Sequence, residues 1–272
     1  MKTVFAYIGS PHRERSNTYL LTKMMLDAIV AKDSTIHVEI LTPADVKINY
    51  CIGCWTCMMK GVCPLDEHDD MMRIRKKLQD ADFIVFGSPV YTMNVSGQMK
   101  TFFDRLPAWL HTLRLAGKAG VTVVTTAGTG IPEGQEFLGM MMVSLGIKCV
   151  GRLGAVGYLP GMLLNRERAK RDALAMADTI YPYVTGELQV TSDKELESVF
   201  GIMKEKIVHA DGNVRSADLE YWRANGMTDI ESFDALLKKI EIKKTTGHPE
   251  GAEFSPFLPS DYSFTSQTIS YR

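Results

Sequence analysis

Along the first 186 residues, short apolar runs alternate with longer stretches of helical periodicity. Residues 2–8 read as a buried strand. Residues 16–31 then place Leu20, Leu21, Met24, Met25, Ala28 and Ile29 at helical spacing, with Ser16 or Asn17 as the N-cap. Ile36 to Leu41 is a second strand, and Asp69 to Asp80 a helix carried by Met72, Ile74 and Leu78. Phe83-Ile84-Val85-Phe86 is a continuous apolar run, as a central parallel strand requires. Gly97 to Leu113 reads as a helix, Gly120 to Thr126 as a strand, Glu133 to Leu145 as a helix, Lys148 to Val156 as a fifth strand, and Asn165 to Gly186 as a long closing helix. Strands that alternate with helices of this length imply an α/β fold with a parallel sheet covered on both faces. Right-handed crossovers make it doubly wound, and ligands then sit beyond the carboxyl ends of the strands.

Past residue 187 the pattern changes. Asp193 to His209, Ser216 to Asn225 and Asp229 to Lys243 read as three helices, and Thr245 to Arg272 as an irregular tail. The division expected is a sheet domain over 1–186 and a C-terminal helical extension with tail over 187–272, packed on the sheet domain or on a partner subunit. The length of 272 residues agrees with one large domain or two small ones at roughly 150 residues each.

Composition narrows the function classes. Thirty-one Lys and Arg against 32 Asp and Glu leave a net charge of −1, which argues against a nucleic-acid binder or a polybasic membrane-surface protein. No apolar run reaches the roughly 18 residues of a membrane span. The run Val4 to Ile8 is too short for a signal peptide, so a cytoplasmic protein is expected.

Three loops at the predicted ligand end carry chemistry. Gly9-Ser10-Pro11-His12-Arg13-Glu14-Arg15-Ser16-Asn17-Thr18 leaves a strand and opens a helix, where free N–H groups and the helix dipole favour an anion such as phosphate. A helix cap after a tight turn is the plain alternative. Gly87 to Lys100 contains Pro89 and the flat face of Tyr91, suited to lie along a planar ring, or it is merely a connection with Ser96 near the next cap. Thr125-Thr126-Ala127-Gly128-Thr129-Gly130 is built of small residues that permit close backbone approach.

Together these motifs resemble those of the flavodoxin-like NAD(P)H-dependent FMN reductases. The resemblance rests on Gly-Ser-Pro followed by Ser-Asn-Thr, on Phe-Gly-Ser-Pro-Val-Tyr, and on Ser-Gly-Gln-Met-Lys-Thr-Phe-Phe-Asp-Arg, and it covers residues 2 to about 186. It implies a five-stranded sheet of order 2-1-3-4-5 and an FMN cofactor. It assigns the phosphate to Ser10, Ser16, Asn17 and Thr18, and Arg13 or Arg15 adds positive charge to the same loop. The ring and ribityl region fall to Pro89, Val90, Tyr91 and Asn94, and the third loop contributes Thr126 and Gly128. The family also implies NAD(P)H as a possible co-substrate and a flavin near a subunit interface, hence a homodimer or homotetramer.

Four of the five cysteines lie between Cys51 and Cys63, in the pattern C-x2-C-x2-C-x5-C followed by Pro64. Clustered thiols without an export signal point to metal or redox chemistry. Thiolates suit Fe–S clusters, Zn²⁺ and Cu(I), but zinc modules show two separated pairs. One compact loop favours wrapping a [4Fe–4S] cluster by Cys51, Cys54, Cys57 and Cys63. The same spacing resembles the iron-sulfur flavoprotein branch of the family, in which these four cysteines ligate the cluster beside FMN.

Other candidates read as structural. Cys149 falls in the apolar fifth strand. Asp66, Glu67, His68, Asp69 and Asp70 read as complement to a helix start rather than a metal site. Met140-Met141-Met142, Trp109, Trp222 and Tyr221 read as packing or subunit contact. Three functions follow. The first is an iron-sulfur flavoprotein coupling a one-electron carrier such as ferredoxin to a two-electron small-molecule acceptor. The second is an FMN-dependent NAD(P)H or quinone reductase whose cysteine loop holds no cluster. The third is an FMN-binding module with structural zinc that acts on a protein partner.

Overall fold

The computed structural model describes residues 1–209 and 216–246. Its centre is a sheet whose five longer strands run parallel: β1 (Thr3–Ile8), β2 (His37–Leu41), β3 (Phe83–Tyr91), β5 (Ala119–Thr126) and β6 (Lys148–Leu159). They lie in the order β2-β1-β3-β5-β6. Val4 pairs with Val38 on one side and Phe83 on the other, which fixes the register at the centre. Every residue of β5 is buried, as a strand covered on both faces must be.

Helices clothe both faces. On one, α1 (Asn17–Lys32) and α7 (Arg166–Thr185) pack Leu21, Met25, Ile29, Ala173 and Ile180 against Val4, Val85 and Val121. On the other, α3 (Met71–Asp80), α4 (Gly97–Asp104) and α6 (Ile131–Ser144) bring Ile74, Leu78, Phe102, Phe103 and Leu138 onto Phe5, Tyr7, Ile84 and Phe86. A third cluster joins α8 (Lys194–Val208), α9 (Ala217–Ala224) and α10 (Phe233–Thr246) around Trp222, Phe200 and Phe233, with Leu113, Ala116 and Val143 from the sheet side. The expected irregular tail, past residue 246, lies outside the described residues.

Several expectations need correction. The sheet has seven strands rather than five, because β4 (Asn94–Val95) pairs antiparallel with β3 and β7 (Met162–Leu163) with β6. Each is two residues long, too short for any periodicity. The helix expected over 97–113 is two: α4 ends at Asp104, and α5 (Pro107–His111) restarts with Pro107, which cannot continue a preceding helix but suits a first turn. The cysteine segment contains a short helix, α2 (Thr56–Lys60), that the pattern did not predict. Cys149 is half-buried at the rim of the core rather than inside it. Met140 is exposed, while Met142 is buried.

Candidate functional site at the carboxyl ends of the strands

The first loop leaves β1 at Gly9 and enters α1 through a 3₁₀ turn over Arg13–Arg15. A Cβ on Gly9 would stand 2.6 Å from that of Met99, so glycine is required there. Its carbonyl accepts a hydrogen bond from Ser96 Oγ at 2.5 Å, which ties this loop to the start of α4. Ser10 is buried. Ser16 caps α1, its Oγ accepting from the Tyr19 N–H at 3.3 Å. Asn17 and Thr18 are the first helical residues, and their N–H groups have no intrahelical acceptor. Thr18 faces inward and shares a 2.6 Å hydroxyl hydrogen bond with Thr125 on β5, so its backbone is what it can offer an anion. Asn17 donates Nδ2 to the Leu159 carbonyl at 2.9 Å, while its Oδ1 is buried with no partner. Arg15 is exposed, whereas Arg13 is paired with the Asp45 carboxylate.

The second loop is a hairpin. Val90 pairs with Val95 and Tyr91 with Asn94, leaving Thr92 and Met93 as a two-residue turn with φ of 49° and 66°. Positive φ at both positions defines the turn whose twist matches the flanking strands. Neither Thr nor Met favours it, so the turn stores strain. Pro89 is in register with Thr125, and Tyr91 is 45% exposed at the hairpin end. Asn94 turns Oδ1 back to accept from the Val95 N–H at 2.7 Å.

In the third loop Thr126 Oγ1 donates to the Thr129 carbonyl at 2.5 Å and accepts from the Gly128 N–H at 3.1 Å. A Cβ on Gly128 would meet nothing within 4 Å, so open space lies over it. Thr129 Oγ1 reaches Met93 Sδ at 3.4 Å, and a Cβ on Gly130 would stand 2.6 Å from Val90. The three loops therefore form one connected surface. Free N–H groups at a sixteen-residue helix start and the space over Gly128 fit a phosphate-bearing cofactor, whereas the unpartnered Asn17 Oδ1 is an acceptor and calls for a hydrogen-bond donor.

The β6–β7 hairpin was not anticipated as part of this surface. β6 runs three residues past its expected end at Val156, and Leu159 reaches Asn17. The Pro160-Gly161 pair that turns it, with Gly161 at φ of 80°, was the available signal.

The cysteine loop follows β2 at the same end of the sheet. Cys51 and Cys54 are exposed, and Cys57 and Cys63 are half-buried. Burial, reinforced by the nearby sulfurs of Cys63, Cys51 and Cys54, pushes the Cys57 thiol up to about 11. Burial also acts upward on Cys54, but hydrogen bonds with the Thr56 side chain and backbone outweigh it and lower that thiol. Among the described residues, no three His, Cys, Asp or Glu side chains stand gathered as a metal-holding group. The donor set nonetheless suits a soft metal or cluster: four thiols in one loop, with Gly53 and Trp55 in the left-handed conformation that lets the chain wrap. An open groove of about 510 Å³ adjoins the loop, lined by Cys51, Gly53, Phe103, Leu110, Phe137 and Met141 among others.

A buried charge network holds the loop from beneath. Arg105, with no side-chain exposure, pairs with Asp69 through Nη1 and with Asp66 through Nη2 at 2.8 Å, and donates to the Asn49 carbonyl at 3.0 Å. Arg75 pairs with the other Asp66 oxygen and donates to the Arg105 carbonyl at 2.7 Å. Asp69 also accepts from the Asn49 N–H at 2.9 Å and the Met71 N–H at 3.0 Å. Burial acts upward on the Asp69 carboxyl, but the Arg105 and backbone hydrogen bonds win and hold it low. The acidic run is thus chiefly a clamp on arginines and on residues 47–49, and Asp70 makes no side-chain cap on α3.

Comparison with known proteins agrees with this architecture. The family model described as NADPH-dependent FMN reductase matches residues 2–157. An iron-sulfur flavoprotein of Archaeoglobus fulgidus is 32% identical over 83% of this chain and 99% of its own. Another from Methanocaldococcus jannaschii is 40% identical over 49% of this chain and 65% of its own. Among solved structures, an NADH:FMN oxidoreductase superposes with a TM-score of 0.50 at 19% identity, covering 72% of this chain and 94% of that one, a likeness of fold. The chain belongs to the NADPH-dependent FMN reductase family and, within it, groups with the iron-sulfur flavoproteins. It is an FMN-dependent oxidoreductase with a flavodoxin-like α/β fold. Among the described residues no helix is long and apolar enough to cross a membrane.

Proposed function

We propose that the chain is an electron-transfer flavoprotein that couples a one-electron carrier such as a ferredoxin to a two-electron small-molecule acceptor. FMN would lie on the loops after β1, β3 and β5, and a [4Fe–4S] cluster on Cys51, Cys54, Cys57 and Cys63. The observation that carries this reading is the placement of four thiols on one loop at the strand ends that also bear the three connected loops. When bound, FMN exchanges one or two electrons and the cluster one.

The chain's own part is binding and orientation. The N–H groups of Asn17 and Thr18, with Ser10, Ser16 and Arg15 around them, receive the phosphate. Pro89, Val90, Tyr91 and Asn94 border the ring and ribityl region, and Thr126 and Gly128 border it from the third loop. We also assign residues 1–186 to the flavin domain and 187–272 to a C-terminal extension, and place the protein in the cytoplasm as a homodimer or homotetramer.

A reductase using NAD(P)H with no cluster on the cysteine loop is the second reading, supported by the match of residues 2–157 to the NADPH-dependent FMN reductase family. Anaerobic purification followed by absorption spectroscopy and assay of iron, sulfide and zinc separates the two. Flavin bands over a broad absorbance that dithionite bleaches, with iron and sulfide, are expected. Flavin with neither iron nor sulfide after reconstitution refutes the first reading, and zinc alone in the loop points to a structural site.

A further inference from the structure

Beneath Cys57 and Cys63 lies a cavity of about 30 Å³ whose other walls are Gly61, Arg75, Arg105 and the start of α5. Apart from the two arginines, the only side chains there with a polar or sulfur atom are those cysteines and Trp109, whose indole N–H donates only. Both guanidinium groups are locked through their terminal nitrogens. Those of Arg105 are spent on Asp69, Asp66 and the Asn49 carbonyl. Those of Arg75 are spent on Asp66 and the Arg105 carbonyl. Each arginine still has its Nε–H to give, and both Nε atoms are buried with no hydrogen-bond partner. Buried donors in native proteins rarely go unanswered. The charge of Arg75 already bears on Cys57, and that of Arg105 on Cys63.

We propose that Arg75 and Arg105 are positioning residues for the cysteine loop, whose Nε–H groups donate hydrogen bonds to sulfur at Cys57 and Cys63 when a cluster is bound. This rests on the cluster reading above. Donors to sulfur stabilise the more negative, reduced form of a cluster and so raise its reduction potential. They also resist loss of iron by holding two ligands in place. Asp66 and Asp69 balance the two positive charges, so the effect comes from the Nε–H donors more than from net charge.

The test uses the full chain, reconstituted anaerobically with iron and sulfide, and the variants Arg75→Gln, Arg75→Lys and Arg105→Lys. Arg75→Gln should shift the one-electron reduction equilibrium of the cluster about tenfold toward the oxidised form, a fall of about 59 mV. Iron release to a chelator should be faster, with flavin content and flavin potential unmoved. Arg75→Lys keeps the charge without the fork and should fall between wild type and Arg75→Gln, and Arg105→Lys should move the potential in the same direction. If Arg105→Lys does not fold, the Arg75 pair decides alone. A loaded Arg75→Gln protein with wild-type potential and iron release overturns the inference and leaves the cluster reading standing. A wild-type chain that takes up neither iron nor sulfide overturns both.

Discussion

The loops after β1, β3 and β5 are stitched to one another by hydroxyls and backbone groups, whereas the cysteine loop after β2 is held from below by charge. Thr18 meets Thr125, Ser96 meets the Gly9 carbonyl, and Thr126 closes its own turn. These bonds are short, neutral and local to the sheet frame. Among the described residues the cysteine loop has no ladder partner, and its surroundings depend on Arg105 and Arg75 gripping Asp66 and Asp69. A surface prepared for a cofactor that binds by many weak contacts can be made from the frame itself. The loop that carries the four cysteines is instead fixed at its base by that network and open at Cys51 and Cys54.

The sharpest break between the two regions is expected from Cys57→Ala. Iron and sulfide in the anaerobically reconstituted protein should fall to background, while bound FMN stays at the wild-type ratio. Parallel loss of flavin would show that the two regions are one folding unit. Next in size is Arg105→Ala. It leaves Asp69 buried and unpaired, which costs about 3–5 kcal/mol in urea unfolding. The matching cut on the other side, Thr18→Val, leaves Thr125 without its hydroxyl partner and costs about 1–3 kcal/mol. Equal losses at the two sites would mean that the two regions are held with equal strength.

Acid should separate them as well. The folded Asp69 carboxyl is held below its ordinary value by Arg105 and backbone donors against the upward effect of burial. Its contribution is therefore present above the ordinary carboxylate range near ~3.9 and is lost as pH falls through the lowered folded value. Asp69→Asn should flatten that part of the acid unfolding curve, and Thr18→Val should leave its slope unchanged.

How much of this was legible depends on the range of the interaction. Continuous apolar runs such as Phe83–Phe86 declare buried strands, and the cap at Ser16 lies beside the helix it opens. Pro107 could have divided the helix expected over 97–113, since its ring forbids continuation. Arg105 stood inside a recognised motif yet drew no role, because its partner Asp69 is 36 residues away and only the fold joins them. The same holds for Asn17 and Leu159, 142 residues apart. The Thr92–Met93 turn carries none of the Asn-Gly or Asp-Gly chemistry that announces such hairpins.

That turn supplies the smallest test. Thr92 and Met93 both hold positive φ without being glycine or asparagine, a state that costs about 1–2 kcal/mol per residue. Replacing the pair by Asn-Gly should relieve part of that strain and raise stability by about 1 kcal/mol, read as a higher Tm. The same change deletes the Met93 sulfur that Thr129 Oγ1 touches and so loosens the hairpin from the third loop. If the pair is kept because it joins two walls of the flavin surface, the stabilised variant should bind FMN more weakly, a trade of stability for function. Equal FMN affinity in a more stable protein would mean that the strain serves something other than the flavin.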